Sequence, residues 1–369
     1  MLALLGESAS GKTTIALPLL GYARTGCSIS GGSVRIGDLE VLSLDAKGRR
    51  ALRARTVAYV AQSASAGFNP ARTIMDQVTE PALLHHLTTN DIKSLQPGRC
   101  CEAALVTNKA RCLDILTILR LEKDFLVITS PNRREMFAPH AKGFIVFRQD
   151  VKIEDVTGQI FSIGVFGAET HDVTSAYLSP EVLPEKNEIV RININDTPVD
   201  VLRTDRLPGG GFLCVTPSAE TARQIQTDLK LPECGNETYN ILRVEAGLPV
   251  AGLEITEAHN PWEANLDNMI SLHKGCYNGQ EIIARLNTYE KVKQHLKGLK
   301  LSGPVPSNAE TALQGDGKNA GEITSIIYSP CGGYIALAYV KKNYEPAGTA
   351  LKVLFNGEEV DAEVVELPF

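Results

Sequence analysis

The nine residues GESASGKTT, at positions 6–14, leave the chain few conformational options. Gly6 and Gly11 free the backbone to turn its N–H groups inward, where they cradle phosphate oxygens. Lys12 reaches the outer phosphates, and the Thr13 hydroxyl is placed to ligate Mg²⁺. The apolar run at residues 2–5 precedes the loop, so the spacing predicts a buried strand, a phosphate-binding loop and a helix. Gly6, Gly11, Lys12, Thr13 and the adjoining Thr14 are therefore candidate nucleotide-binding residues, with ATP and Mg²⁺ as the implied ligands.

Composition narrows the class. A chain of 369 residues suggests two or three domains. The net charge of −6 excludes a global basic field for nucleic acid. No apolar run approaches the roughly 18 residues that cross a bilayer. The apolar start has no basic region before it and reads as a buried strand, not a secretion signal. Eight cysteines form no Cys-x-x-Cys pair. Reduced thiols, no metal framework and a cytoplasmic setting are the expectation. The adjacent Cys100 and Cys101 read as packing residues.

Up to residue 84 the segments GGSVRIGDLEVLSL, RRALRARTVAYVAQ and FNPARTIMDQVTEP follow the loop. They resemble the ATP-binding subunit of an oligopeptide-import ABC transporter, in which Gln62 would be the Q-loop residue. Local patterning agrees. Val34 and Ile36 alternate beside the turn signal of Gly31 and Gly32, and residues 57–60 make a short apolar strand. The signature loop, the strand ending in Asp-Glu and the switch histidine of that family do not follow. Phosphoryl transfer depends on positioning and charge stabilisation, so a loop without its acidic metal ligand is expected to be nearly inert. The resemblance implies a truncated fragment over 1–84, and no membrane partner.

From residue 85 the text changes to HHLTTNDIKSLQPGRCCEAALVTNKARCLDILTIL. Further on come RVEAGLPVAGLEITEAHNPWEANLD and a terminal GEEVDAEVVELPF. This resembles the folate-binding family that holds the glycine-cleavage T-protein (aminomethyltransferase) and YgfZ. The most specific segment is HKGCYNGQEIIAR, residues 273–285. It carries Lys274, Gly275, Cys276, Tyr277, Gly279, Gln280 and Glu281 at the fixed positions of the YgfZ signature. Physically, the two glycines allow a tight backbone path near a ligand or another segment. Lys274 would lower the pKa of Cys276 and favour its thiolate. Gln280 and Glu281 suit a helix start. Cys276 reads either as a reactive thiol with Lys274 beside it or as a buried structural one.

A tetrahydrofolate site needs a slot for the flat pterin, polar groups along its edge and a cation for the glutamate tail. The resemblance implies that Asn90 and Asp91, in the Thr-Asn-Asp loop, line that slot, with Asp114, Arg243, Gln280 and Glu281 as further candidates. Asp114 is either the folate-orienting acid or a strand-end aspartate. Arg243 is either a tail cation or a structural partner of Glu245. One departure bears on activity. The aminomethyltransferases carry GYTGEDGFE after an Arg-Thr pair, and its first Glu grips the pterin. This chain reads RTDRLPGGGFLCV, with Gly209 and Gly210 at the acidic positions. A lost edge carboxylate leaves a buried donor unpaired, so folate binding without aminomethyl transfer is expected.

Short β-branched runs such as EIVRININ, GGFLCV and YIALAYV alternate with helical stretches such as SAETARQIQTDLKL. Breaks around 302–321 suggest a linker into a closing β domain. The resemblance supplies the fold class: α+β, three-lobed and aminomethyltransferase-like, with a C-terminal β-barrel, preceded by an incomplete P-loop α/β fragment. The expected domains are 1–84, a folate-binding domain at 85–290 and a barrel at 291–369. The implied function is a tetrahydrofolate-binding accessory factor in iron–sulfur protein maturation, with iron–sulfur client proteins as partners. An ABC transporter subunit and an aminomethyltransferase are the alternatives.

Overall fold

A computed structural model describes residues 30–45, 48, 80–145, 151–178, 183–306 and 310–369. The chain divides into two compact units, residues 1–71 and 72–369. In the first, β1 (Arg35–Ile36) and β2 (Leu39–Glu40) form a hairpin. It is closed by a hydrogen bond from Val41 N–H to the Val34 carbonyl, in the stretch where alternation predicted a strand. The nucleotide candidates Gly6, Gly11, Lys12, Thr13, Thr14 and Gln62 lie outside the described residues.

The second unit begins with helix α1 (Glu80–Leu87), followed by β3 (Arg99–Val106), β4 (Cys112–Arg120) and β5 (Phe125–Ile128) in an antiparallel sheet. Helix α2 (Arg134–Lys142) follows. Strand side chains alternate between faces, and here the two faces have different partners. Leu84 and Leu87 of α1 and Phe137 of α2 cover Ala103, Leu105, Leu116 and Ile118. On the other face Cys100 and Leu119 meet Leu202 and Val215 of a second sheet. Ala104, Val106 and Cys112 join a separate core with Leu296, Ile335, Leu337 and Tyr339 of a barrel. The first sheet is thus the common wall of three lobes.

The second sheet is built from β6 (Phe161–Phe166), β7 (Ile189–Ile194), β8 (Thr197–Thr204) and β9 (Gly211–Thr216), in the order β6-β9-β8-β7, all antiparallel. Helix α3 (Thr170–Leu178) follows β6. Helix α4 (Ala219–Leu229) follows β9, with Ser218 accepting from Thr221 N–H at 3.1 Å as its N-cap. Helices α5 (Asn236–Glu245) and α6 (Gln280–Thr288) lead into the barrel. Its strands are β10 (Gln294–Leu301), β11 (Thr311–Gly315), β12 (Lys318–Ser329), β13 (Gly333–Lys341), β14 (Ala350–Phe355) and β15 (Glu358–Val365). They close in the order β10-β13-β12-β11-β14-β15.

Local sequence explains the hairpins. Asn195 and Asp196, Asp316 and Gly317, and Asn356 and Gly357 all take positive φ between paired strands. Tight antiparallel turns require that conformation, and these residue types tolerate it. The expected linker around 302–321 is corrected. Strand β10 already belongs to the barrel, and the Asp316 and Gly317 break is a hairpin inside it. Among the described residues no helix is long and apolar enough to cross a membrane.

Candidate functional site

The end of α1 presents carbonyls that its own helix cannot satisfy. Lys274 fills that gap. Its Nζ donates to the carbonyls of His85, Thr88 and Asn90 at 2.6, 2.7 and 2.6 Å. Lys274 is 6% exposed, and burial pushes its ammonium down to about 7. The neighbouring loop is laced to the same helix end. Thr89 Oγ1 donates to the Met269 carbonyl at 2.7 Å, Ser271 N–H to the Thr89 carbonyl at 2.9 Å, and Asn278 N–H to the His86 carbonyl at 2.8 Å. The predicted role of Lys274 is therefore corrected. All three of its N–H donors hold the helix end to the loop, and none remains for a thiolate at Cys276.

Asn90 and Asp91 belong to the same knot. Asn90 Nδ2 donates to the Glu102 carbonyl at 2.8 Å, fastening the helix exit to β3. Asp91 Oδ1 accepts from Ser94 N–H at 3.3 Å and lies 3.2 Å from His85 Nδ1. Burial, with Lys274 and Lys93 nearby, holds His85 down to about 4, so the imidazole is neutral at pH 7. The contact with Asp91 is then not an ion pair.

Cys276 is exposed, as are Cys234 and Cys331, and all three are free thiols. Cys100, Cys112 and Cys214 are buried, and burial pushes Cys100 up to about 11 and Cys214 to about 12. Cys101 is raised to about 12 by the same cause. The alternative of a buried structural Cys276 is thus set aside. Gly279 takes φ +72°, and a Cβ there would stand 2.8 Å from Ala110 Cα and from the Thr107 carbonyl oxygen. Its tight path serves another backbone segment. Gln280 and Glu281 open α6 without a side-chain cap bond, and Glu281 lies 3.9 Å from Arg285 one turn on.

Asp114 sits within β4, fully buried. Its oxygens accept from Ile115 N–H at 2.8 Å and Ser130 N–H at 3.2 Å. Burial raises its pKa, and the bonds from Ser130 partly offset that rise. Arg133 lies close enough to favour the carboxylate, and its Nε is buried without a partner among the described residues. Arg243 is 1% exposed. It donates to Glu254 at 2.9 Å, to Ser325 at 2.7 Å and to Asn240 at 2.9 Å. The structural reading of Arg243 is corrected in its partner, which is Glu254, while Glu245 accepts from Ser329 at 2.5 Å. With a longer bond from Nη1 to the Leu248 carbonyl at 3.5 Å, four of the five guanidinium N–H donors are engaged.

One constellation was missed from sequence. Arg206, in the β8–β9 loop, donates from Nε to Glu102 Oε1 at 2.5 Å and from Nη2 to Thr117 Oγ1 at 2.9 Å. The side chains of Arg206 and Glu102 are 36% and 31% exposed. The readable signal is the arginine in RTDRLPGGG, beside the positions that lack the family's acids. The same loop explains Gly209. At φ +85°, a Cβ there would meet Ala168 N at 2.8 Å and Gly167 C at 2.9 Å, so the position admits no carboxylate without moving backbone. Among the described residues no cluster of side chains forms a metal site.

Residues 80–274 match the GCVT N-terminal domain, and residues 294–369 match the glycine cleavage T-protein C-terminal barrel domain. A protein of Arabidopsis thaliana named "Putative transferase, chloroplastic" is 30% identical over 78% of this chain and 66% of its own length, so the chain spans just under two thirds of that relative. An aminomethyltransferase of Aquifex aeolicus is 27% identical over 78% of both chains. The crystal structure of the glycine cleavage system aminomethyltransferase T from Bartonella henselae superposes with a TM-score of 0.60 at 19% identity. It covers 78% of this chain and 80% of that one, a likeness of fold. With the first domain match spanning more than half of the sequence and the barrel match following it, this chain belongs to the glycine cleavage T-protein family.

Proposed function

We propose that this chain is a tetrahydrofolate-binding protein of the YgfZ branch, an accessory factor in the maturation of iron–sulfur client proteins, with Cys276 as its working thiol. The observation that carries the reading is the 274–281 loop. Its lysine is wholly committed to anchoring, and the cysteine two residues on is left exposed. A rigidly held, accessible thiol suits transient chemistry with a partner better than packing. The absence of a carboxylate at Gly209 and Gly210 favours binding over aminomethyl transfer.

Thermal denaturation with tetrahydrofolate tests the folate half. At a ligand concentration 100-fold above Kd, the midpoint should rise by roughly 3–5 °C. Complementation of a strain lacking its native relative tests the thiol half. Cys276→Ser should fail to complement while keeping the folate shift, and full complementation would remove the thiol from the mechanism.

Aminomethyl transfer is the second reading, favoured by the naming of several relatives as aminomethyltransferases. Turnover with the glycine-cleavage carrier protein would establish it in place of the first.

A further inference from the structure

We infer that the cleft between the end of α6 and the start of the barrel is a binding site for a free α-amino acid with an apolar side chain. It uses none of the residues of the folate reading and stands independently of it.

The cleft has a volume of about 230 Å³. Trp262 and Asp267 line it from the segment between α5 and α6, and Glu290 from the turn after α6. Val292 and His295 line it from the start of the barrel, and Lys342 from the exit of β13. Hydrogen bonds between these segments hold the walls in place. Trp262 Nε1 donates to the Ile283 carbonyl of α6 at 2.9 Å, Leu296 N–H to the Glu263 carbonyl at 2.8 Å, and Lys342 N–H to the Lys293 carbonyl at 3.0 Å. Glu345 holds His295, 2.7 Å from its Nδ1. A cleft walled in this way is formed before any ligand arrives. It falls below the ~300–1,000 Å³ of pockets for drug-sized ligands, so its occupant is small.

Charge selects the class of occupant. Lys342 brings a cation to the cleft, and Asp267 and Glu290 bring anions. Among the described residues, none of the three side chains has an ion-pair or hydrogen-bond partner. Opposite charges that share a cleft without meeting leave a gap for a molecule that carries both. An α-amino acid does so. Its carboxylate matches Lys342, and its ammonium matches the two carboxylates. The Trp262 indole, whose one donor is spent on Ile283, and Val292 offer apolar surface for its side chain. A purely anionic ligand would set its charge against two carboxylates, and a purely cationic one against Lys342.

Trp262 is the single tryptophan of the chain, so its fluorescence reports occupancy of the cleft. The test is titration of the full chain, read by fluorescence and by calorimetry. The probes are L-leucine, 3-methylbutylamine, which lacks the carboxylate, and 4-methylpentanoate, which lacks the ammonium. Leucine should shift the Trp262 emission and bind about 10-fold or more tightly than either analogue, the loss that accompanies one charge-assisted hydrogen bond. Asp267, Glu290 and Lys342 are exposed, so substituting them should leave the melting point in place. Lys342→Met should weaken leucine by about 10-fold and leave the amine no weaker. Asp267→Asn with Glu290→Gln should weaken leucine similarly and leave 4-methylpentanoate no weaker. Leucine that binds no more tightly than the analogues overturns the inference. So does leucine binding seen by calorimetry with no change in Trp262 emission, which places the ligand elsewhere. Leucine affinity indifferent to both sets of substitutions overturns it too, as does no response to leucine up to about 10 mM.

Discussion

Two sets of charged groups in the second unit look alike in sequence and differ in what the fold leaves them. Lys274 and Arg243 are almost wholly buried, with their donors held by helix-end carbonyls or by Glu254, Ser325 and Asn240. Glu102 and Arg206 face each other at 2.5 Å with about a third of each side chain exposed and one polar atom apiece unengaged. A buried cation held by several buried partners holds shape, because removing it strands those partners. A half-exposed pair keeps polar atoms open to solvent. Burial and the number of partners, more than residue type, separate the buried anchors from the half-exposed pair.

The largest effect should come from the anchors. Arg243→Ala leaves Glu254 buried and without its cation, so urea denaturation should show a loss of about 3–5 kcal/mol. A loss below about 1 kcal/mol would mean that the network is soft and the contrast with Glu102 overstated.

Acidification should act next. Burial, with Arg111 nearby, holds His259 down to about 4, and its ring stacks on Tyr339 at 3.5 Å between centroids. A histidine whose folded pKa lies below its unfolded value near 6.5 binds more protons unfolded. Stability should therefore fall as pH drops from about 6.5 toward 4, by about 2–3 kcal/mol for this group. Denaturation midpoints at pH 6.5 and 4.5 should differ less in His259→Gln than in wild type.

Gly279→Ala adds a Cβ against the Thr107 to Ala110 backbone at a positive φ, and about 1–2 kcal/mol should be lost. Cys276→Ser sits at the bottom of the scale. It is an exposed position, so thermal denaturation should register less than about 0.5 kcal/mol. A larger loss would move Cys276 from the working surface into the scaffold.

Much of the architecture was legible where the physics is local. The stretch SAETARQIQTDLKL, read as helical, forms α4 with Ser218 as its N-cap. The strands EIVRININ, GGFLCV and YIALAYV lie where alternation predicted them. The break around 302–321 misled because Gly- and Asp-rich composition marks a linker and a tight hairpin equally well. For the site, the sequence singled out Lys274 as an activator of Cys276 because they are neighbours in the chain. Its Nζ reaches instead across 184 to 189 residues of sequence to the end of α1.

By itself the sequence determined the family, the alternating strands and the loop 274–281 as the segment of greatest interest. Each depends on residue types at short, fixed spacing, where steric and hydrogen-bonding preferences act between neighbours. The tertiary structure decided which charges are anchors and which remain open. It paired Arg243 with Glu254 instead of Glu245, closed position 209 against Gly167 and Ala168, and brought Arg206 to Glu102 from 104 residues away. Partners that distant are selected by the packing of three lobes on one sheet, and no local pattern encodes that choice.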